Sequence, residues 1–271
     1  MRPPRLRAIL GPGLALLGVL LAVALAPHDG AAQAGRSVVW DRFDVEIEVR
    51  DDGSFRVTER MEVSFAGTPA FTYGFAEIPL DRVEEITNVA VRTGMGTGPG
   101  VGLSPSRLVE PLVFDREPMT HKAVETGSDL YIEYGFAPIT DAALTVELTY
   151  DAAGALRVYP GETPPNEQVW WVAIDQETTA VGPVRAASVT IRLPEPVDPG
   201  DVVLGEDTPG PANAHTTDGQ TWTWEASDLG DGDDLVARMQ FPPITNAAAP
   251  AWQAREDQER EDEAAGRAGH G

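Results

Sequence analysis

From Phe43 to Phe65 apolar and polar residues alternate across a turn, and the alternation leaves only one good way to pair the two halves. Phe43, Val45, Ile47 and Val49 are apolar while Asp44, Glu46, Glu48 and Arg50 are polar, so odd positions form one face of a strand. Beyond Asp51-Asp52-Gly53 the odd positions Phe55, Val57, Met61, Val63 and Phe65 continue that face. Residues directly opposite in a hairpin share a face. A two-residue loop at Asp52-Gly53 would set Val49 against Arg56 and mix the faces. A three-residue loop sets Val49 against Phe55 and Ile47 against Val57. The three-residue loop is predicted, because a slip of one would bury Glu48 and Arg56. It also places Gly53 in the left-handed position such loops need. On the wet face this register sets Glu48 against Arg56 and Asp44 against Arg60.

One residue breaks the apolar face. Glu59 falls opposite Val45, where an isolated carboxylate is costly and tends to take up a proton. It is expected to be a structural buried carboxylate, accepting from backbone amides, a Tyr or Trp donor, or an Arg of a neighbouring loop. The alternative is a catalytic base lining a pocket.

Further alternating runs follow: Leu130 to Phe136, Leu144 to Tyr150, Val189 to Leu193 and Leu235 to Phe241. Gly- and Pro-rich segments at 93–106 and 160–168 punctuate them. No amphipathic helix is evident between residues 36 and 245. The pattern predicts an all-β, Ig-like β-sandwich in two lobes, residues 36–158 and 159–245, with the break at 158–168 alternatively a long loop within one sandwich. Residues 246–271 are polar and read as a charged helical or disordered tail, with Glu256 four residues before Arg260.

The N-terminus carries Arg2, Arg5 and Arg7, then an apolar run from Ala8 to Ala26, then Ala32 and Ala34 at cleavage-site spacing. Residues 1–34 therefore read as a signal peptide cut before Gly35, or as an anchor if retained. The chain has no cysteine, so an exported domain must be held by burial alone. Its net charge of −23 becomes about −25 when the leader takes away three Arg and one Asp. A surface this acidic excludes nucleic acid as a partner class.

Little in the sequence points to chemistry. There is no nucleophile elbow, zinc-protease helix or P-loop, and only His121, His215 and His270 follow the leader. No cofactor is implied, and the expectation is a protein that is not an enzyme. Asp231, Asp233 and Asp234 could offer oxygen ligands to Ca²⁺, but their spacing completes no known loop and equally fits a hairpin turn. Trp170, Trp171, Trp222 and Trp224 could present rings to a glycan or another envelope protein, or could fill the core. Trp170 and Trp171 are neighbours in a strand and must point to opposite faces.

In order and spacing, residues 41–65, "EIPL" at 77–80, "LTVELTY" at 144–150, "VWWVAI" at 169–174, "VTIRLPEPV" at 189–197 and "LVARMQFPP" at 235–243 resemble the extracytoplasmic region of the DUF2207 (YciQ-like) predicted membrane proteins. The resemblance covers about residues 38–245. It implies an exported β-rich outer domain and membrane helices, with no established activity. Ala76-Glu77 stands where relatives commonly carry an Arg before "IP", and the membrane helix expected after the acidic tail is not in the sequence. The expected function is a non-catalytic extracytoplasmic module of the cell envelope, interacting or structural. The alternatives are a glycan- or peptide-binding module using surface Trp, and an acid/base hydrolase. Membrane attachment would come through the leader if uncleaved or through a missing C-terminal helix.

Overall fold

A computed structural model describes residues 35–205 and 214–268. The expected leader, residues 1–34, lies outside the described residues. The first hairpin pairs as the alternation requires. β1 (Ser37–Val49) and β2 (Phe55–Ala66) set Val49 against Phe55, Ile47 against Val57 and Val45 against Glu59. Gly53 has φ +79° and donates its N–H to the Arg50 carbonyl. Asp41 is an extra residue between Trp40 and Arg42, a bulge that shifts the buried parity from Val38 and Trp40 to Phe43 and beyond. The wet-face residues lie opposite as expected, yet their ion pairs form elsewhere: Arg56 with Asp151, Asp44 with Arg42.

The remaining strands are β3 (Phe71–Pro79), β4 (Glu85–Met95), β5 (Ser104–Pro105), β6 (Arg107–Leu108), β7 (Thr120–Thr126), β8 (Asp129–Ile139), β9 (Ala142–Ala153), β10 (Arg157–Tyr159), β11 (Asn166–Ile174), β12 (Val184–Arg192), β13 (Val203–Leu204), β14 (His215–Thr216), β15 (Thr221–Leu229) and β16 (Leu235–Phe241). They form an eight-stranded sheet in the order β14-β15-β12-β1-β2-β9-β4-β5 and two four-stranded sheets, β10-β11-β16-β13 and β3-β8-β7-β6. In β1 and β2 one face is buried while the other is half-buried or exposed, and a single apolar cluster draws on all three sheets. Both small sheets therefore cover the same face of the large one.

The result is a sandwich-like all-β fold. Three sheets, with a parallel pair inside the largest, set it apart from the two-sheet immunoglobulin topology that was expected. The expected lobes at 36–158 and 159–245 are not separate: β12 and β15 come from beyond residue 159, yet β12 pairs with β1. The 158–168 segment is a connection within one core. Trp171 lies at the core's centre, its ring 6.1 Å from Phe55 and 6.5 Å from Tyr150. A burial of this kind stabilises by about 2–3 kcal/mol per large side chain.

A short helix escaped the sequence reading. α1 (Gln176–Val181) starts where the Asp175 side chain accepts from the Thr178 N–H, a cap supplied just as β11 ends. Of the two readings of the tail, the helical one holds, and its first turn is tied to the sheets. Glu167 takes the N–H groups of Ile244 and Thr245, and Asn246 donates to the Asp51 carbonyl. α2 (Gln253–Ala268) then docks by its first turn, for Trp252 donates to the Gly154 carbonyl and Gln253 bonds both main-chain groups of Val158. Glu256 closes the contact on Arg157 and Arg82. The docking depends on hydrogen bonds, so the missing apolar stripe did not prevent it. Among the described residues no helix is long and apolar enough to cross a membrane.

Candidate functional site

Glu59 is 0% exposed. Its partner is Tyr150, two residues diagonally across on β9, whose hydroxyl donates to Glu59 Oε1 at 2.6 Å. Oε2 has no partner among the described residues. Burial pushes the carboxyl up to about 8, the Tyr150 bond works against that, and the charge of Asp175 adds to it. Asp175 is itself raised by burial to about 6. Both carboxyl groups sit in the core, out of reach of a substrate.

The tryptophans do not form a binding strip. Trp171, Trp222 and Trp224 are 1%, 4% and 2% exposed, because the β12–β15 register sets Trp222 and Trp224 against Ile191 and Val189 on the core face. Trp170 points outward but lies half-buried beneath Arg82, Arg157 and Arg238, whose guanidinium carbons stand 4.8, 5.1 and 4.7 Å from its ring. Nor do Asp231, Asp233 and Asp234 converge. They form the β15–β16 turn, in which Asp233 accepts the Gly230 N–H, and among the described residues no group of three His, Asp or Glu side chains could hold a metal. A cavity of about 310 Å³ near Asp52, Ser54, Glu84, Gly154, Leu156 and Pro250 is lined by a turn and by the C-terminal strap.

What the sequence reading missed is the outer face of the β3-β8-β7 sheet. β3 turns small residues inward, Gly74 and Ala76, and carries Tyr73 and Phe75 outward, both half-buried. Phe75 meets Tyr131 of β8 at 5.1 Å between ring centres. Behind the rings lies Glu133, 3% exposed, opposite Phe75 on one side and Lys122 on the other. It accepts from Arg116 Nε and, at 3.0 Å, pairs with Lys122 Nζ. Arg116 in turn lies 3.6 Å over the Tyr73 ring, and Lys122 lies 5.3 Å from Phe114 and 5.8 Å from Tyr131.

Gly135 makes this arrangement fit. A Cβ there would stand 2.3 Å and 2.4 Å from the carbonyl oxygens of Glu117 and Arg116, so only glycine lets that loop lie on the sheet and bring Arg116 over Tyr73. Burial and the Glu133 charge raise the Tyr131 hydroxyl to about 12, so it stays a neutral donor. His121 does not belong to this face. It is buried on the core side, held by Ser106 Oγ at 2.9 Å and kept neutral by burial. The face can stack flat apolar groups and donate or accept hydrogen bonds, but it places no nucleophile beside a base. The inverted pattern of "FTYGFA", aromatic outward and small inward, was the available signal.

Several solved structures are similar to this chain at low identity. A putative protease from Parabacteroides distasonis is 12% identical over 76% of this chain and 41% of its own, with a TM-score of 0.46. Yeast LTA4 hydrolase in complex with bestatin is 12% identical over 76% of this chain and 29% of its own, at 0.39. An M1 zinc metallopeptidase from Deinococcus radiodurans is 9% identical over 78% and 43%, at 0.36. The chain thus spans less than half the length of each. Among curated proteins nothing matches. The model of one family, described as the N-terminal domain of a predicted membrane protein, DUF2207, matches residues 40–241, so the chain belongs to the DUF2207 family.

Proposed function

We propose that this domain is a non-catalytic, extracytoplasmic recognition module of the cell envelope, and that it binds its partner through the outer face of the β3-β8-β7 sheet. The observation that carries this reading is the half-buried row Tyr73, Phe75 and Tyr131, rigidly backed by the Glu133–Arg116–Lys122 ion cluster. Rings with two rotatable bonds lose little entropy on binding, and a sheet face holds them in a plane. The apolar run from Ala8 to Ala26 and the family's description as predicted membrane proteins support an envelope location. The non-catalytic part is supported by the burial of Glu59 and Asp175, the carboxyl groups pushed furthest toward the protonated form.

The test is binding of the full-length protein to purified cell-wall polysaccharide and, separately, to unstructured peptides. Tyr131→Ser should weaken the interaction at least tenfold while the unfolding midpoint stays within about 1 kcal/mol of the native protein. Affinity untouched by Tyr131→Ser would remove this face from recognition.

A further inference from the structure

Among the described residues β3 is the outermost strand of its sheet and pairs only with β8. In an antiparallel pair, alternate residues turn both main-chain groups toward the neighbour and the others turn both away. Two bonds set the parity here. Leu80 N–H donates to the Ser128 carbonyl at 2.7 Å, continuing the ladder past Pro79. Gly135, opposite Tyr73, gives its carbonyl to Met119 N–H at 3.1 Å, on the side away from β3. Gly74, Ala76 and Ile78 therefore bond to β8, while Phe75 and Glu77 direct their N–H and C=O groups outward. Among the described residues nothing bonds to those outward groups of Phe75 and Glu77. Pro79, on the same side, has no N–H to leave unmet, as suits an edge position.

Natural sheets guard such edges with lysines, bulges or covering segments. β3 has a bulge only at its start, between Phe71 and Tyr73, and no lysine. The stretch from Gly74 to Ile78 is regular. Its outward repeat, one residue in two, matches the spacing of an extended partner, about 7 Å. The charge beside it is one-sided. Burial raises the Glu77 carboxyl above its usual range, and the neighbouring carboxylates Asp129 and Glu177 raise it further. Among the described residues none of these three carboxylates has a Lys or Arg partner.

We propose that an extended peptide segment of another protein, bearing Lys or Arg, adds to β3 as a further strand, its main chain bonded to Phe75 and Glu77 and its cation set among Glu77, Asp129 and Glu177. The inference rests on the reading of the adjoining aromatic face as a recognition surface and adds the class of ligand. Strand addition draws affinity from main-chain bonds and specificity from alternate side chains. Here those side chains would lie along Phe75 and Glu77, the β3 residues beside the added strand. A second copy of this chain fits poorly, since two-fold pairing through β3 would bring together the Glu77 carboxylates of two chains with a net charge of −23 each.

The probe is a synthetic decapeptide alternating threonine and valine, with lysine at its fifth position, and its counterpart with glutamate there. Against the full-length protein, the lysine peptide should bind at least tenfold more tightly. Hydrogen exchange at the Phe75 and Glu77 amides should slow at least tenfold on binding, while Gly74, Ala76 and Ile78 are already protected. N-methylation of the peptide at alternate residues of one parity should abolish binding, and at the other parity should be tolerated. Phe75→Pro, which removes an outward N–H and spares the β8 ladder, should bind at least tenfold more weakly than Phe75→Ala. Binding that leaves the two amides unprotected, or that tolerates methylation at both parities, overturns strand addition and leaves the aromatic face standing if Tyr131→Ser still weakens it. Protection of the amides with no effect of Tyr131→Ser upholds strand addition and overturns the face. No binding of either peptide overturns the inference, and the polysaccharide arm then decides the face alone.

Discussion

The Tyr150 hydroxyl donates to the Glu59 carboxyl at 2.6 Å inside a fully buried core, and among the described residues no charge of opposite sign helps to ionise that carboxyl. Glu59 is therefore a protonated acid in the folded protein at neutral pH. Its folded pKa of about 8 lies above the 4.5 of the unfolded chain, so the native state holds the proton more tightly. Its contribution to stability is fully present below pH 4.5 and is lost as pH rises toward 8, where the native carboxyl finally ionises. The loss from this one group is of the order of 4 kcal/mol. Asp175, raised by burial to about 6 from 3.8, adds a loss in the same direction over a lower window. Urea midpoints at pH 5 and pH 8.5 measure it, and a flat profile would mean that Glu59 ionises in the core.

Glu59→Gln keeps the acceptor for Tyr150 and removes the proton that titrates. It should lie within about 1 kcal/mol of the native protein at pH 5 and exceed it at pH 8.5. Glu59→Leu strands the Tyr150 hydroxyl, with an expected cost of ~1–3 kcal/mol at pH 5. Denaturant titration of the pair separates acceptor from charge; Leu matching Gln at pH 5 would show that the hydrogen bond contributes nothing.

Gly53→Val should cost more than backbone strain alone. At φ +79° a β-branched residue is strained by roughly 1–3 kcal/mol. A Cβ there would also stand 2.4 Å from the Ala247 Cβ. The strap that carries α2 must therefore lift. Thermal unfolding gives the size, and faster hydrogen exchange at Asn246, whose amide bonds Asp51, shows the lift.

Glu256→Ala should release α2 without unfolding the sheets. Arg157 is buried and bonds both Glu256 oxygens, at 2.9 and 2.7 Å, so its removal leaves a desolvated guanidinium uncompensated. A cost of about 2–4 kcal/mol, confined to the docked segment, follows from losing one partner of such a pair. Limited proteolysis should then cut between residues 253 and 260, while resistance equal to that of the native protein would count against the latch.

Gly135→Ala should cost about 2–4 kcal/mol, because its Cβ meets backbone oxygens that cannot swing aside. The Met119 N–H bond to the Gly135 carbonyl should exchange faster as the loop shifts. Unchanged stability would mean that the 116–119 loop does not rest on this sheet.

The first hairpin was legible because two periods of two, joined by a loop of known geometry, admit one register, and pairings such as Val49 with Phe55 follow from burial alone. The run of strands was legible for the same reason. The pairing of β1 with β12 was not, since a parallel contact between distant segments leaves no local trace in either. For the tryptophans the sequence left two readings open, binding rings or core: Trp222 and Trp224 share a face, but only the pairing with β12, which sets Ile191 and Val189 beside them, decides for the core. The aromatic face stayed hidden because Tyr131 and Glu133 fall on the polar side of the Leu130 to Phe136 alternation, while the run through Phe75 shows no clean alternation of its own. Placing Phe75 required knowing that Gly74 and Ala76 face the core.

The parallel contact between β1 and β12 also sets an order of assembly. Trp40 lies beside Val184, so the strand synthesised first finds this neighbour only after about 140 further residues have emerged. Until then one long side of β1 is exposed, and the hairpin that looked self-sufficient in sequence is half of an unfinished sheet. A chain delivered from its N-terminus, whether from a ribosome or through a membrane, would close its central sheet late. During that interval the side of β1 waiting for β12 is the place where a chaperone, or a wrong partner, would first take hold.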